Sequence, residues 1–162
     1  MIRLNVTLIQ IFRTCNSFKQ KNFQGFYIYH RLIKDEDNGN IHLRLFSRRG
    51  FLADLNDCEG VISNAGFELL SEALYLGKKL LAKPLAGQME QASNAFVISE
   101  LNLGMIMKKL DPDAIEQFLA APVIEPMRYP DVARIVAEWI ESGNWEDVEG
   151  IVRLAWKDIK FR

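Results

Sequence analysis

The chain has 162 residues, room for one ordinary domain of about 100–200 residues, so a two-domain enzyme is not expected within it. Hydrophobic residues at 49% and charged residues at 25% exclude a mainly disordered, collagen-like or disulfide-framework protein. Twenty basic against twenty-one acidic residues give a formal net charge of −1, so no global positive field holds nucleic acid or an anionic membrane by charge.

Residues 1–12 alternate polar positions with Leu4, Val6, Leu8, Ile9 and Ile11, a period-two pattern that predicts a strand. Arg3, Asn5, Thr7 and Gln10 interrupt this stretch and no small-residue cleavage site follows, so neither a secretory signal nor a membrane-spanning helix is expected there. After a polar stretch over 14–24, Phe26-Tyr27-Ile28-Tyr29 reads as a short strand, residues 34–40 as a solvated loop, and Ile41 to Leu45 as a third strand.

From residue 51 onward, short apolar runs alternate with helical patterns. The pattern predicts helix 50–56, strand 60–63, helix 67–76, strand 79–83, helix 89–101, strand 104–108 and helix 112–121. Gly77 stops the second of these helices, Gly104 follows the third, and Asp111-Pro112 supplies an N-cap and first-turn proline for the fourth. Such βα alternation implies an α/β fold, a Rossmann-like three-layer parallel sheet with helices on both faces. Beyond Pro122, Pro126 and Pro130, two amphipathic helices over 131–141 and 145–157 are expected to cap the sheet.

Catalytic candidates are few. His30 and His42 are not spaced as helical metal ligands, Cys15 and Cys58 form no CxxC pair, and GxSxG, HExxH and GxxxxGK[ST] are all missing. No metal or cofactor is expected, and reduced thiols fit a cytoplasmic protein. The missing GxGxxG argues against a typical dinucleotide-binding domain.

Two segments carry the chemistry. In Val61-Ile62-Ser63-Asn64-Ala65-Gly66-Phe67 a strand ends, small residues turn, and a helix begins whose free amides and positive dipole end suit an anion such as phosphate. Within that helix Glu68 and Glu72 share a face, ordinarily a solvent-exposed stripe. The second segment, Lys83-Pro84-Leu85-Ala86-Gly87-Gln88-Met89-Glu90-Gln91-Ala92-Ser93-Asn94-Ala95, leaves a strand, crosses a Pro/Gly loop and enters a helix. Both loops leave carboxyl ends of parallel strands, so both open onto one edge, where open α/β sheets bind ligands.

The order Gly66, Glu72-Ala73, Gly77, Pro84, Glu90-Gln91 and Asn94-Ala95 resembles the nucleotide-sugar-binding carboxyl-terminal half of GT-B glycosyltransferases. The similarity is to the group holding the peptidoglycan N-acetylglucosaminyltransferase and the UDP-glucuronosyltransferases (family 28 and UDP-glycosyltransferase-like). It is closest to a bacterial and archaeal branch in which NAGFELLSEAL and GQMEQASNA look typical, and it runs from about Phe26 to Leu119.

The resemblance implies a set of substrate-binding residues. Asn64, Ala65 and Gly66, with Phe67 at the helix start, would hold the diphosphate; Glu72 would accept both ribose hydroxyls; Gln91 would bond the sugar or ribose, with Glu90 and Asn94 beside it and Gly87 and Gln88 in the same loop; Phe46 would lie beside the uracil. Asn64 stands where many relatives carry histidine and Ala65 replaces a glycine, so diphosphate contact would rest on backbone amides. Phe46 has an ordinary core role as its alternative.

The chain is thereby expected to be one nucleotide-sugar-binding domain over 1–162, with 1–25 matching poorly and 122–162 forming a helical cap. In the resembled enzymes acceptor and catalytic base come from an amino-terminal domain, so this chain is expected to lack catalytic residues and to be either a truncated form or one that completes its site with a separate amino-terminal partner chain. The alternative is a non-catalytic, UDP-sugar-binding or self-associating homo-oligomeric remnant. A dinucleotide-dependent oxidoreductase ranks below both.

Overall fold

The computed structural model describes residues 9–17 and 20–157. The elements are β1 (Ile9–Ser17), β2 (Gln20–His30), β3 (Glu36–Asn38), β4 (Ile41–Leu45), α1 (Arg48–Asp57), β5 (Gly60–Ser63), α2 (Phe67–Tyr75), β6 (Lys79–Ala82), α3 (Met89–Glu100), β7 (Met105–Ile106), α4 (Pro112–Ala120), α5 (Val132–Ser142) and α6 (Val148–Trp156). The chain divides into two compact units, Met1–Pro126 with the sheet and α1 to α4, and Met127–Arg162 with α5 and α6.

The strands form one sheet in the order β3-β4-β2-β1-β5-β6-β7. Its β5-β6-β7 part is parallel, as the βα alternation requires. β1 pairs antiparallel with both β2 and β5, and β3 pairs antiparallel with β4, so the sheet as a whole is mixed. β2, β4, β5, β6 and β7 run one way and end on a common edge, while β1 and β3 run the other way.

Every residue of β5 and β6 is buried, the pattern of strands covered on both faces. Ile62 and Leu81 pack with Met107 and Phe118 against Ala114, Ile115 and Leu119 of α4. Leu80, one residue out of phase, faces the opposite layer, where Gly104 and Ile98 of α3 lie against it. A Cβ at Gly104 would stand 2.8 Å from the Leu80 Cβ, so this glycine is required by close approach. The stop of α3 lies instead at Asn102, with φ 53° and with the next amide, Leu103 N–H, bonded back to Ile98 O at 2.9 Å. Gly77 ends α2 in the same way, with φ 68° and Lys78 N–H on Ala73 O at 2.8 Å.

Two differences from the sequence pattern lie before residue 48. The strand expected over 1–12 falls partly outside the described residues, and β1 and β2 carry extended backbone through the polar stretch 14–24. A hairpin ladder is made by backbone groups and tolerates polar side chains. Residues 36–38 of the expected loop pair with β4, because Asp37 finds partners there: His42 Nδ1 and Arg44 Nη2, each at 2.7 Å. Hydrogen bonds from His42 and then Arg44 hold the Asp37 carboxyl below its usual pKa.

In the second unit, α5 and α6 pack against each other. Asp131 and Asp147 cap them by accepting from Arg134 N–H and Gly150 N–H, and Gly143 with φ 68° closes α5.

Lys79, 2% exposed at the start of β6, faces the α4 layer. Its ammonium donates to Leu119 O at 3.0 Å and Ala121 O at 2.9 Å, and lies 3.9 Å from the Glu59 carboxylate. α4 has no basic residue in its own last turn, so a strand lysine satisfies the carbonyls and the negative dipole end of that helix. Lys79→Met keeps the apolar stem and removes the ammonium; it is expected to lower unfolding free energy by about 2–4 kcal/mol. Urea denaturation checks this, and a loss under about 0.5 kcal/mol would show that the carbonyls find other donors.

Candidate functional site

β5 delivers Ser63 to the sheet edge, and the chain turns through Asn64, Ala65 and Gly66 into α2. Ala65 is fully buried with φ 64°, a left-handed conformation that costs a residue with a Cβ roughly 1–2 kcal/mol. The turn is held from three sides. Ser63 Oγ accepts the Ala65 N–H at 3.4 Å, Asn94 Nδ2 on α3 donates to Ala65 O at 3.0 Å, and Lys83 N–H bonds Ser63 O at 2.7 Å. Gly66 is then the N-cap of α2 and provides no side-chain cap.

The next crossover repeats this arrangement. β6 ends at Ala82, the loop passes Gly87 with φ 82°, and Gln88 is the N-cap of α3, again with no side-chain cap. Gln91, in the first turn, accepts the Leu85 N–H through Oε1 at 3.0 Å and so pins the loop. Its amide nitrogen donates to no described residue. By contrast, Ser47, Asp111, Asp131 and Asp147 cap α1, α4, α5 and α6 with their side chains.

The two uncapped ends meet at a cleft of about 350 Å³ lined by Ser63, Asn64, Gly66, Phe67, Glu68, Leu69, Glu90 and Gln91. Of the residues singled out in the sequence, Asn64, Gly66, Phe67, Glu90 and Gln91 line it. Ala65 and Asn94 stand behind the wall and shape it through their mutual hydrogen bond. Gly87 and Gln88 are exposed on the neighbouring loop. Glu72 is exposed one helical turn beyond Glu68. Phe46 is half exposed after β4, on the same sheet edge, with its ring 6.0 Å from that of Phe51.

Ser63, Glu68 and Leu69 also line the cleft; none of them carried a site role by sequence, and Glu68 had only a place in a solvent-exposed stripe. Glu68 had a usable signal: in the first turn after an uncapped Gly66 it sits beside the free amides, whereas its i,i+4 relation to Glu72 points to a solvent stripe. Chemically, the cleft offers amide donors for an anion, the Gln91 amide as a further donor, and two carboxylates able to accept hydroxyl protons. No group of three His, Cys, Asp or Glu side chains suited to a metal ion occurs among the described residues.

Asn94→Ala would leave the buried Ala65 carbonyl without its partner and is expected to cost about 1–2 kcal/mol of stability by thermal or urea denaturation. The exposed neighbour Ser93→Ala should stay within about 0.5 kcal/mol of the parent.

The family model described as Glycosyl transferase family 1 matches residues 8–122, more than two thirds of the chain. No curated protein matches. Among solved structures, one described as the crystal structure of the glycotransferase of kitacinnamycin is similar at 19% identity and a TM-score of 0.46. That similarity covers 56% of this chain and 24% of the other, so the chain spans about a quarter of that structure's length. No helix among the described residues is long and apolar enough to cross a membrane. The segment matched by the family takes in the left-handed turn at Ala65, both uncapped helix starts and all eight cleft residues, and the chain belongs to Glycosyl transferase family 1.

Proposed function

We propose that the cleft binds the nucleotide-sugar donor of a glycosyl transfer, and that this chain is the UDP-sugar-binding, carboxyl-terminal half of a GT-B-type, cytoplasmic enzyme. One observation carries the reading: the two helices whose starts open onto the cleft are the ones that begin without a side-chain cap. Unserved amides at Phe67, Glu68 and Leu69, with the positive end of the α2 dipole, form a receptor for a diphosphate.

The same amides would act in transfer. As the glycosidic bond to the diphosphate breaks, negative charge grows on the departing oxygen, and fixed N–H groups stabilise it without reorganising, by the logic of an oxyanion hole. Gln91 offers its amide N–H to the sugar or ribose while its carbonyl holds the loop. Glu90 accepts from sugar hydroxyls, and Glu72, further along α2, accepts from the two ribose hydroxyls. Phe46, half exposed on the same edge, supplies a face for the uracil. The acceptor and the catalytic base would come from an amino-terminal domain, a partner chain or a second copy in a homo-oligomer.

Titration calorimetry tests the reading. UDP and UDP-sugars should release or absorb heat on binding at millimolar concentration or below, and a folded protein giving no heat rejects it. Glu72→Ala should weaken UDP by about 1–3 kcal/mol, roughly 5–150-fold, with an unchanged circular dichroism spectrum. Unchanged affinity in that variant would place the ribose elsewhere.

A further inference from the structure

The ends of β2 and β4 lie two to three strand positions from β5, roughly 10–14 Å along the same sheet edge. The two strands pair in register to His30 and Leu45, and Phe46 N–H bonds His30 O at 3.3 Å, so the residues that follow them emerge side by side. Arg31 and Leu32 form an exposed turn, pinned by Leu32 N–H on His30 Nδ1 at 3.2 Å, and exposed Lys34 follows. β4 ends on half-exposed Leu45, and Arg48 and Arg49 then open the first turn of α1. Leu32 is 79% exposed, and Leu52, one turn along α1 from Arg48, is 44% exposed.

Arg31, Lys34, Arg48 and Arg49 are all exposed, and none has an ion-pair partner among the described residues. The nearby carboxylates are Asp35, Glu36 and Asp37. Asp35 accepts the Leu45 N–H at 2.7 Å, and Asp37 is held by His42 and Arg44. The two α1 arginines run against local helix chemistry, since the positive dipole end favours acids and α2, α3, α4 and α6 each carry one in the first turn. Arg134, in the first turn of α5, is paired with Asp131 and Glu138. Ser47 Oγ already accepts the Gly50 N–H, so α1 presents guanidinium groups here and not an open amide. Unpaired cations kept where they weaken a helix, next to exposed leucines, fit a partner that is anionic at its surface and apolar beneath.

We propose that this end of the sheet edge docks on an anionic membrane surface, independently of what the cleft binds. Leu32, alone on its turn, enters the boundary between headgroups and acyl chains, with Leu45 and Leu52 at its flanks. Arg31, Lys34, Arg48 and Arg49 lay their apolar stems along the lipid and reach phosphate and carboxylate headgroups with their charged ends. A protein partner would need a pocket shaped for a lone leucine, whereas lipids rearrange around it. No helix among the described residues is long and apolar enough to span, so the contact is one of surface attachment.

Co-sedimentation of the full chain with vesicles tests this, using phosphatidylcholine with and without about one third phosphatidylserine. The parent should partition about tenfold or more strongly onto the serine-containing vesicles, and the advantage should fade between about 0.05 and 0.5 M salt. The double variant Arg48→Gln, Arg49→Gln should lower partitioning by about 5–30-fold, near fivefold per cation. Its melting temperature should equal or exceed the parent's, because cations leave a helix start. Leu32→Ser should lower vesicle partitioning by about fivefold and leave binding to soluble heparin unchanged. Equal or absent binding to the two vesicle types, or full binding by the arginine variant, overturns the proposal. Heparin binding without vesicle binding also overturns it and assigns the patch to a soluble acidic partner. If the arginine variant keeps its vesicle binding and loses UDP, the arginines belong to the donor site and the proposal falls.

Discussion

The orientation of the α2 amides depends on the left-handed backbone at Ala65. Without that reversal, the chain leaving β5 would not bring Phe67, Glu68 and Leu69 to face the sheet edge. A residue with a Cβ adopts this conformation at a cost, and here the surroundings over-determine it: Ser63 holds its N–H, Asn94 holds its carbonyl, and Lys83 fixes the strand end before it. The Asn94 bond also joins α3 to the turn that starts α2. One strained residue thus links both helix starts that open on the cleft.

The two edges of the parallel strands divide stability from binding. At the edge where β6 begins, the ends are closed: Gly77 stops α2 with its carbonyls bonded, and the buried Lys79 ammonium satisfies the end of α4. At the edge where β5 and β6 end, two helices start with amides left open. Capping is local chemistry, and any Ser, Thr, Asp or Asn at Gly66 or Gln88 would be able to close those ends. The residues present there leave them available, at some cost in helix stability, on the edge where open α/β sheets take their ligands.

The electrostatic balance of the cleft follows from the same placement. Acidic residues in first turns are ordinary helix stabilisers. Placed on two helices that converge, Glu68 and Glu90 also line one cleft.

Much of this was legible in the sequence from residue 48 onward. Short apolar runs at 61–62 and 80–82, Gly77 after α2 and Asp111-Pro112 before α4 are local signals, and the elements lie within a few residues of where those signals put them. The turn before Phe67 was legible for the same reason, whereas Glu90 and Gln91 were singled out through the resemblance to GT-B glycosyltransferases. Tertiary structure alone decided that Asn94 serves a backbone carbonyl, that Gln91 spends its own carbonyl on Leu85, that Glu68 lines the cleft, that Asn102 and not Gly104 ends α3, and that Lys79 caps a helix forty residues away. It also decided the antiparallel pairings of β1 and β3. Helical periodicity and turn chemistry depend on neighbours in sequence, whereas the rotation of a docked helix, the partner of a strand and the target of a long side chain are set by groups distant in sequence that only packing brings together.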